Sequence, residues 1–214
     1  VNELTYTGEE QTGVTVEENA AYTLTGNTGT NAGSYTAKLE LKDTKNTCWS
    51  DEGKTTDAKT IVWSIARKKI GIPQAATGLV YNGAEQIGVE AGEGYRLIGN
   101  TKAINAGSYT ATAELTDEFN TCWSDGTNGY QTIKWSIAKV DPQVLNGGIS
   151  VTYHPNGGSV EFSGSMNVEG KFNYDPSNGT TFTPNDTQNY NTVTVEADVT
   201  KDPTVSSPNM ELGN

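Results

Sequence analysis

The chain repeats itself, and that repetition constrains its fold more than any other feature. Residues 31–41 read NAGSYTAKLEL and residues 105–115 read NAGSYTATAEL; NTCWSD occurs at 46–51 and again at 120–125. TIVWSIA at 60–66 returns as TIKWSIA at 132–138, and Tyr6-x-Gly8-x-x-Gln11-x-Gly13-Val14 matches Tyr81-x-Gly83-x-x-Gln86-x-Gly88-Val89. The offsets are 75, 74, 74 and 72 from the N-terminal block onward, so only loop lengths changed after a tandem duplication. A period of about 74 residues suits one small module per copy, below the commonest size of an independent domain.

Within each copy the apolar residues alternate. Tyr35, Ala37, Leu39 and Leu41 share one face of a stretch whose other face is Thr36, Lys38, Glu40 and Lys42. Tyr109, Ala111, Ala113 and Leu115 repeat the pattern, as do Ile61, Trp63 and Ile65 with Ile133, Trp135 and Ile137. A period of two describes strands with one buried and one wet face. Hydrophobic residues are only 34% of the chain and charged ones 19%, with 24 glycines. That balance fits thin β modules with small cores rather than a disordered chain, in which many like charges would replace the apolar residues. Asn82-Gly83 and Asn128-Gly129 are the strongest hairpin signals. The expectation is all-β: sandwich modules of about six or seven short strands each.

Residues 141–200 do not align with the copies but also alternate, with Val193, Val195, Ala197 and Val199 on one side of a stretch. Val151/Tyr153, Val160/Phe162, Phe172/Tyr174 and Phe182 mark further short strands. The expected organisation is therefore module one at 1–70, module two at 71–139, a smaller module three at 140–200, and a tail or linker at 201–214. The junctions around Arg67–Pro73 and Lys139–Pro142 are short and lack the Gly/Ser character of a flexible tether. They suggest modules strung as an elongated, semi-rigid rod.

The blocks YxGxxQxGV, NAGSYTAxxEL, NTCWSD and TIxWSIA together resemble the Ig-like repeats of large bacterial cell-surface proteins. Residues 170–195 resemble the related MBG-type repeat, with its Gly-x-Phe strand, its FTPxDxxNY corner (Phe182–Tyr190 here) and its Thr/Val strand. The resemblance covers nearly the whole chain. It implies extracellular Ig-like modules in tandem, at the bacterial cell surface or wall, and brings no catalytic residues with it.

Charge and motif content exclude several classes. The net charge is −12, and no basic cluster exceeds Arg67-Lys68-Lys69, so a phosphate-binding face for nucleic acid is not expected. No apolar run reaches the roughly 18 residues of a membrane span, and no secretory leader is recognisable. The start at Val1 reads as a mature or excised fragment. Phosphate-loop, dinucleotide and nucleophile-elbow motifs are lacking. Glu40 and Glu114 occupy outward strand positions on different modules, where no cleft would hold them the roughly 5–10 Å apart that glycoside hydrolysis needs. His154 stands alone. A Lys–Asn isopeptide crosslink would need an inward-facing lysine, and the alternation supplies none.

A few positions remain as candidate sites. Cys48 and Cys122 are equivalent and are expected to be buried, unpaired thiols. Trp63 and Trp135 fall on inward faces. Trp49 and Trp123 adjoin the cysteines and, by strand alternation, are the residues expected to reach the surface and contact a ligand. Asp51 and Asp125 are expected to anchor turns, with no dense calcium loop around them; Asp186, Glu196 and Asp198 leave only weak Ca²⁺ binding open. The functional expectation is a monomeric, non-enzymatic stalk segment without cofactor, spacing or presenting an adhesive region. The alternatives are an adhesin module for a host glycan, mucin or protein, or an accessory region of a secreted polysaccharide-active enzyme.

Overall fold

The computed structural model of the protein describes residues 3–17, 21–154 and 158–201, and it is all-β, with no helix among them. Apart from Lys201, the tail expected at 201–214 lies outside the described residues. The described residues form two compact units: those within 1–75, 89–101 and 110–134 make the first, and those within 76–88, 102–109 and 135–201 the second. The second repeat copy contributes segments to both, so the repeats of the sequence and the compact units of the fold divide the chain differently.

Copy one supplies β1 (Leu4–Thr5), β2 (Gln11–Thr12), β3 (Tyr22–Thr25), β4 (Thr28–Gly29), β5 (Gly33–Leu41) and β6 (Lys59–Ala66). They form a four-stranded sheet in the order β1–β6–β5–β3 and a small β2–β4 ladder. β5 is antiparallel to both neighbours, and β1 runs parallel to β6 with Leu4 opposite Ile65. The alternation read from the sequence is realised in β5 and β6, where Ala37, Leu39, Trp63 and Ile65 are buried and Thr36, Lys38, Val62 and Ser64 are exposed. The core joins Val14, Ala37, Trp63 and Ile65, flanked by Leu4, Tyr6, Leu24 and Tyr35. Trp63 is fixed on several sides. Its ring stacks on Tyr35 at 4.4 Å, its Nε1 donates to Gly26 O at 3.0 Å, and the bare Cα of Gly13 lies against it, where a Cβ would overlap the indole.

Then follow β7 (Lys68–Ile70), β8 (Gln86–Ile87), β9 (Tyr95–Gly99), β10 (Lys102–Ala103), β11 (Gly107–Leu115), β12 (Thr121–Trp123) and β13 (Gln131–Ile137). β13, β11 and β9 form one sheet in that order, and β8 pairs with β10. Copy two repeats the packing of copy one: Tyr109 stacks on Trp135 at 4.7 Å, and Gly88 lies against the Trp135 ring.

The third segment, in the second unit, contains β14 (Ser150–His154), β15 (Ser159–Ser163), β16 (Gly170–Asp175), β17 (Gly179–Pro184), β18 (Val193–Val195) and β19 (Asp198–Lys201). Its sheets run β15–β14–β19 and β16–β17–β18, around a core of Ile149, Met166, Phe182 and Val195. The continuous alternation expected from Val193 to Val199 breaks in the middle. β18 pairs antiparallel with β17, whereas β19 pairs parallel with β14, so the chain changes sheets at Glu196-Ala197 and Val199 is left exposed. Asn82-Gly83 and Asn128-Gly129 do not close hairpins either. Their glycines take positive φ (78° and 88°), but β12 before Gly129 pairs with β7 while β13 after it joins β11. They are turns between different sheets.

Candidate functional site

The feature that recurs with most side-chain chemistry is an Asp-x-x-Asn turn following a long strand. It occurs at Asp43/Asn46, Asp117/Asn120 and Asp186/Asn189; a fourth such pair, Asp175/Asn178, closes the β16–β17 hairpin, and there the Asp carbonyl accepts from Asn178 itself and not from the residue after it. In each of the first three, the Asp carboxylate accepts from the Asn backbone N–H (3.2, 3.0 and 3.2 Å) and from its Nδ2 (2.8, 2.9 and 2.8 Å). The Asp carbonyl accepts the next N–H, from Thr47, Thr121 and Tyr190. The side chain thus substitutes for a backbone turn and leaves the Asn Oδ1 free to point outward.

Within the first unit, Asn120 Oδ1 accepts from Ala32 N at 2.8 Å and its Nδ2 reaches Asn31 Oδ1 at 3.3 Å. Within the second, Asn189 Oδ1 accepts from Ala106 N at 2.7 Å and its Nδ2 reaches Asn105 Oδ1 at 3.2 Å. Each clasp therefore holds the Asn-Ala loop of the preceding repeat. A tyrosine shapes both loops, Tyr35 Oη donating to Asn31 O and Tyr109 Oη to Asn105 O, each at 2.6 Å.

The connecting segments complete the junctions. β7 runs parallel to β12, with Lys68 N donating to Asn120 O at 2.9 Å and Ser124 N to Ile70 O at 2.8 Å. At the second junction Val140 N donates to Asn189 O and Asn191 N to Val140 O, both at 3.0 Å. A basic side chain adds a bond to the turn in each case: Arg67 Nε to Phe119 O at 3.0 Å, Lys139 Nζ to Thr187 O at 2.6 Å. Both connectors are thus tied to the following turn, the first as the strand β7 and the second through a single bridge at Val140. Sequence reading missed this site, although Asp-x-x-Asn recurs five times, and the three instances not followed by Gly (Asp43, Asp117 and Asp186, the last in the unaligned third segment) are the signal that could have found it.

The structure separates the residues singled out as a pair. Trp123 has no accessible surface, its Nε1 donates to Gly129 O at 2.7 Å and its ring tilts against Tyr95 at 5.9 Å. It has no face to offer a ligand. Trp49 makes the counterpart contacts, Nε1 to Asp57 O and a tilted ring contact with Tyr22, yet stays partly accessible. Cys122 is buried as expected, while Cys48 is exposed; both are unpaired. The expected in–out alternation fails in copy two because β12 is covered on both faces, so Thr121, Cys122 and Trp123 are all buried. Copy one has no described strand beside Thr47–Trp49, which accounts for its exposure.

The remaining candidates have the following surroundings. Asp51 accepts from Thr55 N and Oγ1 and from Lys59 Nζ, and Asp125 accepts from Thr127 N and Oγ1. Glu40 pairs with Lys38 and Glu114 with Arg96. Asp186 is engaged by Asn189, Glu196 and Asp198 are exposed, and His154 ends β14. Among the described residues no group of three or more His, Cys, Asp or Glu side chains is placed to hold a metal ion. Every lysine is exposed, so none is buried for an isopeptide crosslink. No helix among the described residues is long and apolar enough to cross a membrane. No protein-family model and no curated protein matches the chain.

The turn carboxylates impose a pH dependence. The hydrogen bond from Lys59, followed by those from Thr55, lowers Asp51 to about 2, and the Asn46, Asn120, Thr127 and Ser177 donors lower Asp43, Asp117, Asp125 and Asp175 respectively. A carboxyl with a depressed folded pKa binds fewer protons folded than unfolded, where it titrates near pH 4. The stability it contributes is complete above that range and is lost as pH falls towards about 2. Urea midpoints should therefore stay level down to about pH 5 and drop steeply between roughly pH 4 and 2, with Asp51→Asn making the drop shallower. A midpoint unchanged down to pH 2.5 contradicts this.

Proposed function

We propose that the chain is a non-enzymatic structural segment of a bacterial extracellular surface protein, a stalk of Ig-like modules that spaces or presents an adhesive region. The observation that carries the reading is the construction of the junctions. Twice, a short connector bonds through its backbone to the following turn while an Asn side chain clasps the preceding loop, which is how a chain restrains bending between successive modules. A flexible tether would make no such bonds. The elongated rod is part of the proposal. Small-angle scattering tests it: a compact 214-residue chain has a radius of gyration of about 17 Å. A value well above that supports the stalk, and one near it rejects the stalk.

A second reading, a module that binds a host glycan, mucin or protein, has one observation in its favour. Trp49 keeps part of its ring accessible where its counterpart Trp123 keeps none. Glycan-array binding that disappears in Trp49→Ala would favour it over the stalk.

A further inference from the structure

We infer that the face of copy one formed by Asp43, Asn46 and the Thr47–Trp49 edge is a docking site for another repeat of the same kind, joined ahead of it in a chain. The inference names a partner and stands whether or not the molecule acts as a spacer. The observation is a comparison of the three turns whose Asp carbonyl accepts from the residue after Asn, with Asn46 and Asn120 at the same place in the two copies. Asn120 and Asn189 are 7% and 5% exposed; each accepts from an Asn-Ala loop through Oδ1 and from a connector backbone N–H through its carbonyl, and a basic side chain of the connector donates to a neighbouring turn carbonyl, Phe119 O or Thr187 O. Asn46 is held by Asp43 with the same bonds and nearly the same distances, yet it is exposed and no Asn-Ala loop reaches it among the described residues.

The edge tells the same story. In copy two, β7 covers Thr121, Cys122 and Trp123. In copy one the equivalent Thr47, Cys48 and Trp49 have no strand beside them among the described residues, and Cys48 is exposed. An unpaired edge next to a partly accessible tryptophan is a template for one more strand.

The chemistry of the occupant follows from the two filled sites. It brings an Asn-Ala loop shaped by a tyrosine, and a connector in which a basic residue precedes an apolar one, as in Arg67–Ile70 or Lys139-Val140. A second molecule of this chain does not supply these parts, because its own loops at Asn31-Ala32 and Asn105-Ala106 are already engaged. A further repeat does. One difference between the copies bears on fit. Ala21 stands where copy two has Gly94, against which Ile70 packs, so an apolar residue smaller than Ile at the incoming position 70 leaves room for the Ala21 methyl.

The test extends the full chain by a further copy of residues 1–75 placed before Val1, with the added Cys48 changed to Ser and with either Ile or Val at the added position 70. Cys48 of the original chain is then labelled with a maleimide under native conditions and located by peptide mapping. Docking slows its labelling by about tenfold or more relative to the unextended chain in at least one version, towards the rate of buried Cys122. Asn46→Ala in the extended chain restores fast labelling, while the same change leaves the unextended chain unaltered. Equal labelling with and without the extension in both versions overturns the inference. So does protection that survives both Asn46→Ala and replacement of the added Arg67–Ile70 segment by Gly-Ser-Gly-Ser, because the shielding would then be nonspecific. Scattering on the same samples reports the spacer property separately, so either idea can fail alone.

Discussion

Gly88→Ala destabilises the second unit by about 3 kcal/mol, the upper end of what overpacking a well-packed site costs. The effect comes from space and not from backbone conformation, since Gly88 is not among the glycines with positive φ. Its Cα lies against the Trp135 ring so closely that a methyl would overlap the indole carbons. The ring has little room to retreat, because Trp135 is 4% exposed and Tyr109 is stacked on it at 4.7 Å. Thermal unfolding should shift down by roughly 10 °C. Gly13→Ala does the same to Trp63 in copy one, where the ring is additionally held through Nε1 by Gly26 O. Gly71→Ala is the control: a Cβ there meets nothing within 4 Å, so the change stays within about 0.5 kcal/mol. Pairing Gly88→Ala with Trp135→Leu should recover part of the loss by returning volume to the site. A Gly88→Ala protein as stable as Gly71→Ala would mean that the tryptophan does not rest on the glycine.

How far these features could be read from the sequence depended on whether they were set by local pattern or by a neighbour distant along the chain. Alternation placed Ala37, Trp63, Ala111 and Trp135 inside, because a strand's two faces are decided residue by residue. The duplicated Gly13 and Gly88 were visible as matched letters, but the reason for them, a tryptophan about 50 residues further on, belongs to tertiary packing. Trp123 shows the same limit: alternation assumes one wet face, and β12 has none, since Thr121, Cys122 and Trp123 are all buried. The split between β18 and β19 was equally hidden, since an alternating run does not reveal that its halves pair with different sheets. The sequence displays Asp-x-x-Asn five times without distinguishing the two that clasp a loop, whose partners lie 88 and 83 residues away.

The second large effect separates Asn46 from Asn120 and Asn189. Asn120→Ala leaves the buried Ala32 N–H without an acceptor, removes the bond to Asn31 and takes the Nδ2 donor from Asp117. An orphaned buried donor alone costs about 1–3 kcal/mol, so a loss of about 3 kcal/mol is expected, and Asn189→Ala should behave alike through Ala106. Asn46→Ala removes the same turn bonds on an exposed surface, where water replaces them, and should cost under about 1 kcal/mol. Asn120→Asp is the sharper probe. It keeps an oxygen for Ala32 N but sets a second carboxylate where Nδ2 now donates to Asp117 Oδ2 at 2.9 Å. Two carboxylates at that separation hold one proton more tightly when folded than when unfolded. The stability deficit of Asn120→Asp is therefore greatest at neutral pH and shrinks as pH falls towards 4, opposite in sign to the acid loss caused by the native turn carboxylates. If Asn120→Ala proves as mild as Asn46→Ala, or the Asn120→Asp deficit does not change with pH, the clasp contributes nothing to holding successive repeats together.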